Sequence, residues 1–194
     1  YKRQGEIRTN DYPISFDNSL FFSFLKTTKV NVYCINQSED NRAIKTLYNT
    51  DTSLFNFSST QINNINFNTL INQDLIIINE LDQINSGLIN SLITFTKNGG
   101  SVVIIPPLKK DIVSYNVFLS SLGLNSYYKI ESSIFGLKIN NLNLEHSLFN
   151  NVFKSKAKNL NYPTVKQYYR MKHNYKRTKI ISLENNKEFL VSFS

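Results

Sequence analysis

The sequence is poor in the residues that usually mark a disulfide, a metal centre or a membrane span. A single cysteine, Cys34, excludes an internal disulfide and a zinc site built on several cysteines. The two histidines are not paired at helical spacing, and the six glycines form no phosphate-binding fingerprint. No apolar run reaches the roughly 18 residues that a membrane-spanning helix needs. We therefore expect no cofactor and no metal site.

What is present is the composition of a globular domain with one basic region. The 194 residues are 41% hydrophobic and 19% charged, which suits one domain with a small appendage. Residues 151–180 hold nine Lys or Arg and no acid, whereas the rest of the chain has 13 basic and 14 acidic residues. The net charge of +8 is therefore regional. Because the chain starts at Tyr1 and stops in a strand pattern, we expect a fragment truncated at its C-terminus.

Short apolar runs typical of buried strands alternate with helical patterns between residues 29 and 124. The frequent Asn residues match a bias that AT-rich coding produces, so we do not treat Asn as motif material. The predicted strands are residues 29–36, 53–59, 74–79 and 101–105, and the predicted helices follow the caps Ser38, Ser86 and Asp111. This alternation predicts parallel strands with helices on both faces of the sheet.

Alternating segments dominate both ends of the chain. Residues 1–25 predict an N-terminal β segment, either a hairpin or the end of a preceding β domain, and residues 26–194 form the α/β domain. After Leu124 the strand-like segments are "YYKIESS", "FGLKIN", "TVKQYYRMKH", "TKIISLE" and "KEFLVSFS", with a turn at Asn185-Asn186. The whole sequence predicts an α/β fold: a doubly wound, mainly parallel sheet flanked by helices, with additional antiparallel strands at the N-terminus and in the C-terminal third.

Polar residues follow the predicted parallel strands, where doubly wound proteins bind ligands. Asn36, Glu80 and Lys109 are the candidates for a small polar ligand, although loop and cap residues at these positions need no ligand. None of the strand ends offers a nucleophile with a base within reach, as a hydrolase requires. Cys34 lies inside its strand and is predicted to be a small buried hydrophobe. His146 and His173 are predicted to be structural or surface residues.

The basic segment 154–179 is the second candidate surface. Its candidate residues are Lys166, Arg170, Lys172, Lys176 and Arg177, interleaved with tyrosines as in proteins that bind single-stranded nucleic acid. Alternation puts Lys166, Tyr168, Arg170 and Lys172 on one strand face, which predicts a solvated face on an edge strand. That interpretation is favoured over an anionic membrane surface or acidic partner, and nucleic acid is disfavoured.

The stretch "DLIIINELDQINSGLINSLITFTKNGGSVVIIPP" followed by "LEHSLFNNVF" resembles the class I glutamine amidotransferase-like (flavodoxin-like) fold, from about Lys29 to Phe153. In that superfamily a helix leads to V-x-x-G-G and a buried strand, with His-Pro-Leu/Ile-Phe downstream. Here the downstream segment reads His-Ser-Leu-Phe, with Ser147 in place of proline. More narrowly, "NDYPISFDNSLFFSF", "NGGSVVIIP", "NLEHSLFNNVF" and "YPTVKQYY" are similar to membrane-anchored Bacteroidetes proteins that begin with a BatA-type, aerotolerance-related region.

This resemblance implies the fold of the superfamily but not its catalytic activity. Active amidotransferases carry a cysteine in a Gly-x-Cys-x-Gly elbow after such a strand, and this chain has Pro106-Pro107 there. Two prolines supply no thiol and remove two backbone N–H donors. We therefore expect no enzyme activity, and a non-catalytic interaction or structural domain of an envelope-anchored bacterial protein. The alternatives are an atypical hydrolase or transferase of this superfamily using Glu80 and Lys109, and a nucleic-acid-binding or anionic-surface-binding domain.

The resemblance also implies partners and a location. The expected partner is a protein, or other domains of the same membrane protein, and membrane contact is expected through segments outside this chain. The expected location is the periplasmic side of the inner membrane, with a cytoplasmic location and the oligomeric state left open.

Overall fold

A computed structural model describes residues 2–9, 18–25, 29–108, 112–124, 126–149, 162–172 and 177–193. The elements in chain order are β1 (Lys2–Arg8), β2 (Ser19–Leu25), β3 (Val30–Asn36), α1 (Arg42–Asn49), β4 (Phe55–Gln61), β5 (Leu75–Asn79), α2 (Ser86–Lys97), β6 (Ser101–Ile105), α3 (Val113–Ser121), β7 (Tyr127–Leu142), β8 (Thr164–Met171), β9 (Arg177–Leu183) and β10 (Glu188–Phe193). Short 3₁₀ turns cover Ile62–Asn64, Phe67–Asn72 and Ser147–Phe149. None of these helices has the length and apolar character needed to cross a membrane.

The centre of the fold is a parallel sheet in the order β4-β3-β5-β6. Successive side chains of a strand point to opposite faces, so β3 and β5 feed two apolar clusters. Ile35 and Ile78 pack on the face that α2 and α3 cover, whereas Cys34 and Ile77 pack with Ile44 of α1 on the other. The predicted doubly wound α/β class is therefore confirmed, and the chain reverses its winding direction between β3 and β5.

Asparagines, which the sequence interpretation set aside, cap the first two helices. Asn41 accepts hydrogen bonds from the backbone N–H groups of Ala43 and Ile44, so Ser38 does not cap α1 as predicted. Asn85 accepts from Leu88 N–H, so the predicted cap Ser86 is the first residue of α2 instead. Asn caps helices as well as Ser does, which explains both errors. The predicted cap Asp111 lies outside the described residues.

The C-terminal third forms an antiparallel sheet in the order β10-β9-β7-β8. The two strands predicted from "YYKIESS" and "FGLKIN" are one continuous strand, β7, which pairs first with β8 and then with β9. A bulge at Gly136, whose φ is +75°, bends β7 without ending it. The predicted turn at Asn185-Asn186 is confirmed: Asn186 has a φ of 60° between the paired strands β9 and β10.

The N-terminal strands β1 and β2 pair with each other antiparallel, which both predicted alternatives, a hairpin and the end of a preceding β domain, allow. The Phe22 ring lies over Gly5 on the opposite strand, where a Cβ atom would be 2.4 Å from the ring. Because Gly5 has no side chain, the aromatic ring of Phe22 can lie directly over its backbone. The boundary at residue 25 between two domains stays a prediction.

The pair Gly99-Gly100 makes the turn from α2 into β6. Gly99 has a φ of +92°, the left-handed conformation that ends helices. A Cβ atom on Gly100 would lie 2.3 Å from the buried Phe95 ring, so that ring fits only against a glycine. The two glycines therefore have separate tasks, one in the backbone turn and one in core packing.

We expect Gly100→Ala to lower the free energy of unfolding by about 1–3 kcal/mol, because the new methyl group overpacks a buried ring. Gly87→Ala is the matched control, since its Cβ atom would make only ordinary contacts inside α2 and Ala favours a helix by up to about 1 kcal/mol. Urea unfolding followed by circular dichroism measures both. An unchanged stability for Gly100→Ala would contradict the packing role of this glycine.

Candidate functional site

A cleft of about 900 Å³ lies between the carboxyl edge of the parallel sheet and the antiparallel sheet. Glu80 after β5 and the chain around Pro106 after β6 line one side. Residues 167–172, residues 186–191 and two cations of β9 line the other. Doubly wound proteins bind ligands beyond the carboxyl ends of their strands, and the volume is typical of binding sites. The cleft is therefore the candidate functional site.

Hydrogen bonds and one aromatic contact hold the antiparallel sheet against this edge. The Tyr169 hydroxyl donates to the Pro107 carbonyl at 2.7 Å. The Tyr169 ring also packs on the Tyr127 ring, with centroids 5.2 Å apart. The Asn116 side chain of α3 pairs with both backbone groups of Tyr127, each at 2.9 Å. Burial, followed by the neighbouring Tyr169, raises the pKa of Tyr127 to about 12.

The polar side chains that end β3 and β5 bond to each other. Asn36 and Asn79 are 1% and 5% exposed, and Asn79 Nδ2 donates to Asn36 Oδ1 at 2.8 Å. Asn36 Nδ2 donates to Asp40 Oδ1 at 3.3 Å, and Asp40 also accepts from the Ser59 hydroxyl at 2.8 Å. The Ser59 hydrogen bond, followed by the one from Lys45, lowers the pKa of Asp40. Asn36 is thus tied into a network that runs from buried Asn79 to exposed Asp40, and it does not line the cleft.

Glu80 reaches the cleft in an unusual conformation. Its φ is 51°, a left-handed conformation that is uncommon for residues other than glycine. Its backbone N–H donates to the Ile105 carbonyl at 2.8 Å, which ties it to the end of β6. The structure therefore brings Glu80, but not Asn36, to the candidate site. The third predicted ligand residue, Lys109, lies outside the described residues.

The cleft is basic because the C-terminal strands supply most of its charged side chains. Five basic and two acidic residues line it: Arg170, Lys172, Arg177, Lys179 and Lys187 against Glu80 and Glu188. Glu188 Oε1 lies 2.8 Å from Arg177 Nη2 and 3.6 Å from Lys179 Nζ, so one carboxylate serves two cations. Three of the predicted basic-surface residues therefore lie at the candidate site. Lys166 is exposed on β8 away from the cleft, and Lys176 lies outside the described residues.

The predicted solvated face of β8 is wrong at Tyr168, which is buried together with Val165 and Leu183. Between the pairs Ser132↔Gln167 and Leu137↔Val165, β7 advances five residues while β8 advances two. This bulge breaks the simple alternation on which the prediction depended. The Tyr168 hydroxyl donates to Glu131 at 2.6 Å, and this hydrogen bond, more than the Arg170 guanidinium at 2.9 Å, lowers the pKa of Glu131.

Cys34 and His146 both have structural partners, and the other predicted structural or surface histidine, His173, lies outside the described residues. Cys34 is buried, as predicted, and its thiol lies 3.5 Å from Asn36 Oδ1. The Leu148 N–H donates to His146 Nδ1, so the proton of this ring is on Nε2, which lies 3.0 Å from the Ser192 hydroxyl. His146 thereby links the last 3₁₀ turn to β10, as expected of a structural histidine. No group of three or more metal-ligating side chains occurs within the described ranges.

Comparisons with known proteins show similarity in fold alone. No protein-family model and no curated protein matches the sequence. A solved structure of a protein described as ThuA-like, from Bacteroides uniformis, is 14% identical with a TM-score of 0.57, over 90% of this chain and 72% of that one. A protein described as cytoplasmic, from Salmonella typhimurium, is 13% identical with a TM-score of 0.58, over 98% of this chain and 78% of that one. At these identities the likeness shows the fold alone.

These likenesses correct the family prediction. The ThuA-like fold is distinct from the class I glutamine amidotransferase-like fold, although the two are related, and nothing in the comparisons supports a BatA-type or membrane-anchored protein. The predicted family is therefore wrong. The quoted segments carried only a helix end, a glycine turn and buried strands, which doubly wound proteins share widely. The location in the cell envelope stays a prediction.

We expect the Cys34 thiol to react at least about 100-fold more slowly with a disulfide reagent in the native protein than in concentrated urea. Burial, followed by the charge of Asp40, raises the pKa of this thiol to about 11, so about one thiol in a thousand is ionised at pH 8. The appearance of the released thiolate measures the rate in both conditions. Native labelling as fast as in urea would identify an activated cysteine and contradict the structural role.

We expect Asn36→Leu and Asn79→Leu each to lower the free energy of unfolding by about 1–3 kcal/mol, because each leaves a buried amide without its partner. The double variant should lose clearly less than the two singles together, since both amides are then gone. Asn90→Leu, at an exposed position of α2, is the control and should change little. Additive losses in urea unfolding would show that the two amides do not depend on each other.

Proposed function

We propose that this chain is a non-catalytic interaction domain, with the basic cleft as its binding surface. One observation carries the proposal: the polar side chains ending β3 and β5 bond to each other instead of facing the cleft. In a doubly wound enzyme these strand ends supply the reacting groups. Here Asn36 and Asn79 are buried in a network that supports the sheet.

The chain that follows β6 supports the same proposal. Pro106 and Pro107 follow β6, and the Pro107 carbonyl accepts a hydrogen bond from the Tyr169 hydroxyl. Prolines offer no backbone N–H to a developing oxyanion. The chain after β6 therefore lacks these two donors and holds the second sheet instead.

A protein is the partner that we propose for the cleft. A cleft lined by both strands and cations can hold a peptide through backbone and charge contacts together. Nucleic acid remains disfavoured: Tyr168 is buried, and Tyr169 packs on Tyr127 and bonds to Pro107, so these two rings are engaged within the protein. A base would then have to stack on Phe189, an exposed aromatic side chain that lines the cleft.

A second candidate, an atypical hydrolase or transferase, is favoured by the backbone of Glu80. Non-glycine residues with positive φ are concentrated at functional sites, because the surrounding structure must hold them there. Glu80 has such a φ and lines the cleft at the end of β5. Glu80 is therefore the residue to replace in a test of whether the cleft catalyses a reaction.

We expect the purified chain to show no glutaminase, esterase or peptidase turnover, and Glu80→Gln to behave as the unaltered chain does. The measurement is product release at high protein concentration, with a known hydrolase as a positive control for each assay. Circular dichroism confirms that the variant is folded. Turnover that disappears in Glu80→Gln would overturn the non-catalytic proposal and establish the second candidate.

A further inference from the structure

The cleft runs along strand edges and not over a strand face. Side chains alternate between the two faces of a strand, so a surface that touches consecutive residues follows the edge of that strand. The cleft touches six consecutive residues of the β8 segment, 167–172, and six consecutive residues, 186–191, at β10. From β9 it touches only Arg177 and Lys179, which alternate. Two strand edges therefore form its walls and one face of β9 forms its floor.

Both walls are edge strands of the antiparallel sheet. In the described part of the chain, β8 pairs with β7 alone and β10 pairs with β9 alone. The sheet curls so far that β8 and β10 contact each other without pairing. Edge strands present backbone N–H and C=O groups that can pair with another chain. The cleft thus has the backbone chemistry that accepts an added strand.

The side chains of the cleft select the charge of such a strand. Five basic residues line it against two acidic ones, but Arg170 is paired with Glu131, and Glu188 is already shared between Arg177 and Lys179. Lys187 is exposed at the start of the β10 wall, and the side chain of Lys179 is 58% exposed on the floor. A bound segment with carboxylates would find cations on a wall and on the floor.

We infer that the cleft binds an extended, acidic segment of a protein partner as an added β-strand along β8. The inference names the partner of the interaction domain proposed above and rests on that proposal. At about 3.3 Å per residue, the six lining residues 167–172, five of which belong to β8, span about 20 Å, which fits a strand of about six residues. Main-chain hydrogen bonds would give affinity, and the cations would give selectivity.

Fluorescence anisotropy with a labelled peptide of about eight residues, in which Glu and Thr alternate, tests this inference. We expect binding that weakens as salt is raised. A peptide with Lys in place of Glu should not bind. The acidic peptide with every second backbone nitrogen methylated should bind at least about tenfold more weakly, because it keeps the charge and loses strand pairing.

Variants of the protein separate the cleft from the rest of the basic surface. Lys179→Glu combined with Lys187→Glu should weaken binding at least about tenfold, because both side chains line the cleft. Lys29→Glu combined with Lys97→Glu changes the net charge equally at exposed positions outside the cleft and should bind as the unaltered chain does. Circular dichroism shows whether each variant is folded.

Hydrogen exchange of the backbone amides in residues 167–172 distinguishes strand addition from binding through charged side chains alone. An added strand should protect alternate amides of this segment. Binding without this protection, or equal binding of the methylated peptide, would overturn strand addition. Binding of single-stranded oligonucleotides in place of the peptide would overturn the inference in favour of nucleic acid. Failure of every probe would also overturn it, and the non-catalytic proposal would still stand on the turnover assays.

Discussion

The hydrogen bond from the Tyr169 hydroxyl to the Pro107 carbonyl is the contact on which the arrangement of the molecule depends. It joins the carboxyl edge of one sheet to a strand of the other, and the Tyr127 ring, which packs at a tilt on the Tyr169 ring, and the Asn116 amide support it. Proline has no backbone N–H, so the carbonyl is the one backbone group that Pro107 can offer. Because this joint holds β8 over the strand ends, a cleft exists there instead of an open sheet edge.

The same joint changes the meaning of the proline pair. In the sequence, Pro106-Pro107 indicated that the expected nucleophile is missing. In the structure, the Pro107 carbonyl also holds the second sheet through the Tyr169 hydroxyl. The polar groups of the neighbouring strands are similarly engaged, Asn36 with Asn79 and Asp40 with Ser59. A strand edge that supports another layer in this way has few groups left for chemistry. The charged side chains of the cleft come instead mostly from the antiparallel strands, which the fold places opposite.

The parallel half could be predicted because its signals are local. Apolar runs marked β3, β5 and β6, and Gly99-Gly100 marked the end of α2. The antiparallel half depends on how its strands pair. The two predicted strands on either side of the bulge at Gly136 are the single strand β7, and Tyr168 of the neighbouring strand is buried. No local sequence pattern predicts either result. For the site, the strand-end position of Glu80 was predictable. That Glu80 lines the same cleft as Arg177 and Lys187 could not be predicted, because it depends on how the two sheets pack against each other.

The amide pair at the ends of β3 and β5 also bears on how the chain reaches this fold. No hairpin aligns two parallel strands, and both are apolar on either face, so burial alone distinguishes poorly between the native alignment and one slipped by a residue. Asn36 stands directly opposite Asn79 only in the native alignment. A slip of one residue would break the amide pair and place one of the two asparagines opposite an isoleucine, Ile78 or Ile35, at a cost of about 1–3 kcal/mol. The hydrogen-bonded pair therefore favours the native register of the two central strands.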